Sequence, residues 1–329
     1  MYPLLLSRDP QHALTLIARH TFDLELVGTE LLKDETIWEH CVPRTSLRGV
    51  LSRLRQMTCK GFLSTEESPV RKKVESVLRD RHALRASNLQ PAEILGVLIQ
   101  LEVGFALSPG THKPAHERKV PKCRPHPSLE KELARMLEAS SMNVAKVPCK
   151  VHICVDIQSN KYQCWGAWNL HCLRAVSLTI FTLLHADTDL TVSFYQEKGK
   201  GRLEFIDVSP RDSMATILGK LTEKAVTASK VPPQEVLRWS RESGARCGAT
   251  ADLVMLITDS NVLASREDIW AELEQARVND IKVKFIYWAL ASKVLDVNPT
   301  NENYPNILGI AGWSPDSTRI IQAFAKDFF

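Results

Sequence analysis

Two hydrophobic periods divide this chain. From Pro10 to about Val103 the apolar residues recur at helical spacing, without strand-like alternation. Leu14 and Ile17 begin one amphipathic segment, and Leu24, Leu26, Leu31 and Leu32 mark a second. Ile37 and Trp38 sit in a short helix that closes before Pro43. Leu47, Val50, Leu51, Leu54 and Met57 form one stripe, which Thr45 or Ser46 can cap, and Val70, Val74, Val77 and Leu78 form another. Ile94, Leu95, Leu98, Ile99 and Leu101 mark a more buried helix. Short helices in succession predict a solenoid fragment, in which each repeat buries its face against the next.

From Lys150 the pattern changes to short apolar runs alternating with helices, the mark of a mostly parallel sheet covered on both faces. Val151–Asp156 (VHICVD) and Ala251–Asp259 (ADLVMLITD) read as buried strands, each ending on an aspartate. The spacing further predicts an apolar return helix over roughly 165–185, a hairpin at 190–195 and 203–206, and helices near 213–223 and 233–241. Ser265 and Asp268 cap a helix over 266–278, strands follow at 283–288 and 307–310, and a helix begins after Ser314. A basic, proline-bearing linker lies at 108–127. The expected organisation is an all-α helical-repeat region over 1–125, then a doubly wound α/β domain over 126–329.

In open α/β sheets ligands collect outside the carboxyl ends of the strands, where strand order reverses. Asp156 and Asp259 therefore mark a candidate site. The plainer reading is that each caps a turn or a helix N-terminus.

Composition narrows the classes. At 329 residues and 44% hydrophobic, the chain can bury two cores. The first residues do not form a signal peptide, and the most apolar helical run is too short and too polar to span a bilayer, so no membrane role is expected. The expected location is cytoplasmic, with nuclear residence also open. Eight cysteines show no Cys-x-x-Cys pair and no zinc-like spacing, so they are expected as reduced thiols. No Gly-rich phosphate loop, His-Glu-x-x-His helix or Gly-x-Ser-x-Gly elbow is present, and an enzyme is the least supported class.

The net charge of +4 is regional: residues 41–125 carry 16 Lys/Arg against 7 Asp/Glu. Arg48, Arg53, Arg55, Arg71, Lys72, Lys73, Arg79, Arg85 and Lys119, beside the helical stripes and in the linker, are the candidate RNA-binding residues, because phosphate contacts need such side chains. A solvated helix face is the ordinary alternative.

Thr36–Trp38 (TIW), Ser46–Thr58 (SLRGVLSRLRQMT), Leu89–Leu95 (LQPAEIL), Val155 with Asp156, Leu256–Asp259 (LITD) and Ile320–Phe329 (IIQAFAKDFF) together resemble the C-terminal part of the Ro (SS-A) autoantigen and its TROVE-module relatives. The resemblance implies a partial ring of HEAT-like repeats followed by a Rossmann-like von Willebrand factor A domain. It also implies binding of noncoding RNA, namely Y RNA and defective small RNAs. A few helix pairs before residue 105 are too few to close a ring. The family's A domain holds a divalent cation such as Mg²⁺ on Asp-x-Ser-x-Ser, a later Thr and an Asp after the fourth strand. Here the corresponding ligands are Asp156, Gln158, Asn160 and Asp259, a degenerate set because amides replace both serines, with the Thr position somewhere in 227–231.

Two readings follow. One is an RNA-binding component of a Y RNA-like ribonucleoprotein, acting through basic helical surfaces. The other is a metal-independent protein-interaction module that presents the strand-end face, with Trp313 and the 298–304 loop contributing.

Overall fold

The computed structural model describes residues 9–19, 27–102, 124–159, 161–167, 170–197, 202–247, 251–259, 271, 275, 283–295 and 306–328. The chain divides into two compact units, Met1–Asn143 and Val144–Phe329. An all-α unit followed by a doubly wound α/β unit is the fold class that the two periodicities predict.

The first unit contains α1 (Pro10–Arg19), α2 (Glu35–Cys41), α3 (Leu47–Cys59), α4 (Pro69–Arg79), α5 (Arg81–Ser87), α6 (Pro91–Glu102) and α7 (Pro127–Ala139). Side-chain caps set several starts. Ser46 accepts from Gly49 N at 3.1 Å, and Ser68 accepts from Arg71 N at 3.2 Å with Pro69 at the first turn. Asp80 accepts from His82 N and Ala83 N at 2.8 and 3.0 Å, turning the chain directly from α4 into α5. Asn88, at φ 51°, takes the left-handed conformation that closes α5.

Helix α7 packs on α4 and α6. A boundary at the basic linker would place this helix with the second domain, yet the division falls at Asn143. The cause is local: Leu129, Leu133, Met136 and Leu137 find their apolar partners among the helices, and Asn143 Nδ2 donates to Leu84 O and Leu89 O at 3.2 and 2.8 Å.

The second unit is built on a six-stranded sheet of order β3-β2-β1-β4-β5-β6. Its strands are β1 (Val151–Asp156), β2 (Leu190–Gln196), β3 (Arg202–Ile206), β4 (Leu253–Thr258), β5 (Lys284–Ala289) and β6 (Ile307–Ala311). Only the β2–β3 pair is antiparallel, as expected of the hairpin. The helices are α8 (Cys172–His185), α9 (Met214–Ala225), α10 (Pro233–Cys247) and α11 (Ser317–Ala325). Both β1 and β4 are buried along their whole length, which explains their continuous apolar character.

Helix α8 starts later than the apolar pattern suggests. Residues 161–167 and 170–171 instead form a loop closed by an isolated antiparallel bridge between Gln163 and His171. Among the described residues no helix is long and apolar enough to cross a membrane. The capped helix expected over 266–278 lies largely outside the described residues.

Candidate functional site

Strand order reverses between β1 and β4, and in their parallel register Asp156 stands beside Thr258. The next residue is Asp259. Two carboxylates therefore converge at the switch point, and their side chains are only 7% and 3% exposed. Buried carboxylates need a compensating charge or a full set of donors.

The charge comes from Lys230. Its Nζ lies 2.8 Å from Asp259 Oδ1 and 3.5 Å from Asp156 Oδ2. The loop after α9 aims it there. Ser229 N donates to Tyr195 O at the end of β2 (2.9 Å), and Ser229 Oγ accepts from Glu197 N (3.3 Å). On the other side, Val231 N donates to Asp156 Oδ1 at 3.2 Å, while the Val231 side chain joins the core with Val236, Leu237, Leu256 and Tyr287. Lys230 is thus pinned by both neighbours, and Pro232–Pro233 lead at once into α10. Thr258 Oγ1 completes the set by donating to Asp156 Oδ2 at 3.1 Å.

Burial still wins at Asp156, raising its pKa to about 6 against the opposing pull of Lys230, Val231 N and Thr258. At Lys230 burial acts to lower the pKa. The hydrogen bond to Asp259 and the charges of both aspartates outweigh it, so the ammonium is held above its ordinary range.

The donors do not fit a divalent ion as they stand. Among the described residues no three His, Cys, Asp or Glu side chains gather in a metal-binding group. The ammonium stands between the two aspartates, Gln158 is partly buried and bonds to neither of them, and Asn160 lies outside the described residues. One atom remains unused: Asp259 Oδ2 is buried without a hydrogen-bond partner among the described residues. Within 227–231, where the resemblance puts a Thr, it is Lys230 whose side chain reaches both aspartates. Its signal in the sequence is faint, a lysine immediately before Val231 and the paired prolines that open a helix.

Trp313, expected on the strand-end face, is largely buried, while Trp165 is half exposed with Lys293 Nζ 5.9 Å from its ring centroid. Trp165 is held at both ends of its backbone, donating from N to Leu290 O and accepting at O from Trp313 N, each at 2.8 Å.

The candidate RNA-binding residues of the helical unit separate into groups. Arg71 is 5% exposed and locked inside: Nη1 donates to Glu75 Oε1 and Ser128 Oγ at 2.6 Å each, and Nη2 donates to Glu66 O at 2.6 Å. It is not on a phosphate-facing surface, because its guanidinium joins α4 to the start of α7. Arg79 reaches the buried Glu132 at 2.9 Å, Arg48 reaches Glu93 at 2.5 Å, Lys73 reaches Glu39 at 3.1 Å and Lys72 reaches Glu67 at 3.5 Å. Arg53 donates to Gln56 at 3.1 Å, and Arg55 is exposed on α3. Arg85 is exposed on α5 one turn from Arg81, a residue that the stripe pattern does not single out; among the described residues neither has an ion-pair partner. Lys119 lies outside the described residues.

No protein-family model matches the chain, and no curated protein matches it in sequence. Among solved structures it is similar to the Ro (RSR) protein of Deinococcus radiodurans, with a TM-score of 0.77 and 18% sequence identity. The match covers 96% of this chain and 60% of that chain, so this chain spans about 60% of the length of that protein. The fold suggested by the resemblance is therefore the fold observed.

Proposed function

We propose that this chain is an RNA-binding component of a ribonucleoprotein built on a small noncoding RNA of the Y RNA type, and that the helical unit makes the contacts. The observation that carries this reading is the pair Arg81 and Arg85, exposed at i and i+4 on one face of α5 and, among the described residues, not engaged in ion pairs. Two guanidinium groups one turn apart suit successive phosphates, and Arg55 on the neighbouring α3 adds to the same basic character. The fold likeness to a Ro protein supports the same class of partner. Cytoplasmic residence with a nuclear pool, and a binding rather than catalytic role, belong to this proposal.

The test is a salt titration of binding to a structured RNA with an unpaired end. Neutralising Arg81 and Arg85 together should weaken binding and make log K less steep in log salt by roughly 0.7 to 0.9 for each phosphate that the variant no longer neutralises. Binding and slope equal to those of the unmodified chain would reject the assignment.

The strand-end geometry favours a second reading, a protein-interaction module that works without metal. Lys230 supplies the charge there, so a partner docked on this face should survive chelation and be released by Asp156→Asn with Asp259→Asn. Loss of the partner on chelation alone would sink this reading.

A further inference from the structure

The divalent site implied by the resemblance and the residues found at the strand ends disagree. We propose that Lys230 is the resident cation of this site: its ammonium takes the place of a divalent ion between Asp156 and Asp259, and its presence keeps such ions out. The inference is independent of whether the helical unit binds RNA.

Three observations carry it. The ammonium touches both aspartates, at 2.8 and 3.5 Å, although they come from different strands. The backbone on either side is fixed, by Ser229 on the end of β2 and by Val231 on Asp156 itself, so the lysine is aimed by the fold. Both carboxylates are more than nine-tenths buried, while the lysine side chain is 48% exposed, as expected of a group that reaches down from a loop and closes a hole from above. A magnesium ion demands a near-octahedral shell of oxygens at close range and gives up water reluctantly. It could not share this space with an ammonium already bonded to the same oxygens.

The reverse follows. Removal of the ammonium leaves two buried carboxylates with no positive charge between them: Asp156 keeps the Val231 N–H and the Thr258 hydroxyl as donors, and Asp259 Oδ2 has no hydrogen-bond partner among the described residues. That donor set is short of protein ligands, so water would complete the shell, and a hard divalent cation is the class of ion it would accept. The replaced lysine would thus uncover a latent metal site.

The experiment compares the full chain with Lys230→Met, Lys230→Gln, Lys230→Arg and Lys230→Met/Asp259→Asn, using Mn²⁺ as probe and Mg²⁺ as competitor. Bound Mn²⁺ is read by electron paramagnetic resonance, and stability by thermal melting with metal or with chelator. The unmodified chain and Lys230→Arg should bind no Mn²⁺ at millimolar concentration and shift by less than about 1 °C between metal and chelator. Lys230→Met should melt lower in chelator and recover by several degrees with Mn²⁺, with Mg²⁺ displacing it, as expected when a ligand binds only the folded state. The double variant should lose the metal response. If Lys230→Met is unfolded in chelator, recovery of its folded signal on adding Mn²⁺ is the same positive result. Mn²⁺ binding to the unmodified chain as tight as to Lys230→Met would overturn the proposal, and so would failure of Mn²⁺ to bind both Lys230→Met and Lys230→Gln.

Discussion

In the helical unit Glu75 and Glu132 meet guanidinium groups from Arg71, Arg79 and Arg135, whereas in the α/β unit Asp156 and Asp259 share the Lys230 ammonium. The two solutions leave the carboxylates in opposite conditions. The hydrogen bond from Arg79, with its charge and that of Arg135, holds Glu132 below the usual carboxylate range against the cost of burial. Asp156, whose ammonium lies nearer to Asp259, is pushed above that range by burial. Planar guanidinium forks deliver several directed bonds, while one ammonium is a point charge whose benefit must be divided. The first arrangement fastens helices together; the second balances a site that would otherwise attract a cation.

Breaking the helical network should have the largest effect. Arg71→Ala strips the buried Glu75 of its closest guanidinium, leaving it the Ser128 hydroxyl and the more distant Arg79, and truncating one partner of a buried pair costs on the order of 3–5 kcal/mol. Urea unfolding should show the loss, and Arg71→Met combined with Glu75→Leu should restore most of it, because no charge then remains stranded. If Arg71→Ala were as stable as the unmodified chain, the arginine could not be the structural tie between α4 and α7.

The next effect is on pH. His152 on β1 is fully buried, bonded to Thr191 and Ser193, and flanked by the rings of Phe205 and Trp239; burial lowers its pKa to about 4. Between the ordinary histidine value near 6.5 and about 4, the unfolded chain takes a proton there that the folded chain refuses. His152 therefore favours folding fully above that window and loses about 3 kcal/mol as pH falls through it. Asp156 has the opposite sign. It takes its proton near 6 in the folded chain and near 3.8 in the unfolded one, so it favours folding below 3.8 and loses that contribution as pH rises through 6. The two largely offset each other. Asp156→Asn should expose the His152 decline between pH 6.5 and 4, and His152→Leu should reverse the slope; parallel profiles in both variants would contradict this assignment.

A smaller loss is expected at the strand ends. Lys230→Met in chelator should cost about 1–2 kcal/mol at about pH 8, less than a fully buried pair because the lysine is half exposed and already screened by water. The cost should shrink below about pH 6 as Asp156 takes a proton. A loss as large as that from Arg71→Ala would erase the distinction between the two networks.

Much of this architecture can be read from spacing. The stripe of Leu47, Val50, Leu51 and Leu54, the Ser46 cap, the strand ending at Asp156 and the strand that ends at Thr258, one residue before Asp259, depend on neighbours within a few positions, and they stand close to where the pattern puts them. Arg71 and Lys230 are not legible in the same way. Beside Val70 and Val74, Arg71 looks like an edge residue of an amphipathic helix, and its burial is decided by Ser128, 57 residues later. Lys230 lies 74 residues from Asp156 and 29 from Asp259, on a loop whose path depends on where β2 and α10 finish packing. Charge in sequence reports what a residue carries; only the fold decides what it faces.

Arg81 and Arg85 give the smallest stability effect and the sharpest contrast with Arg71. They lie beside the same basic run, on the helix that follows directly from α4 through the Asp80 cap, yet they are exposed and outside the ion-pair network of the described residues. Replacing both with glutamine should leave the unfolding free energy from urea titration within about 0.5 kcal/mol of the unmodified chain, as for surface positions without a special role. The same variant should lose RNA affinity and salt dependence, while Arg71→Met with Glu75→Leu, once folded, should retain both. If the buried pair proved to control RNA binding and the exposed pair did not, the division between structural and phosphate-facing cations would have to be redrawn around α4.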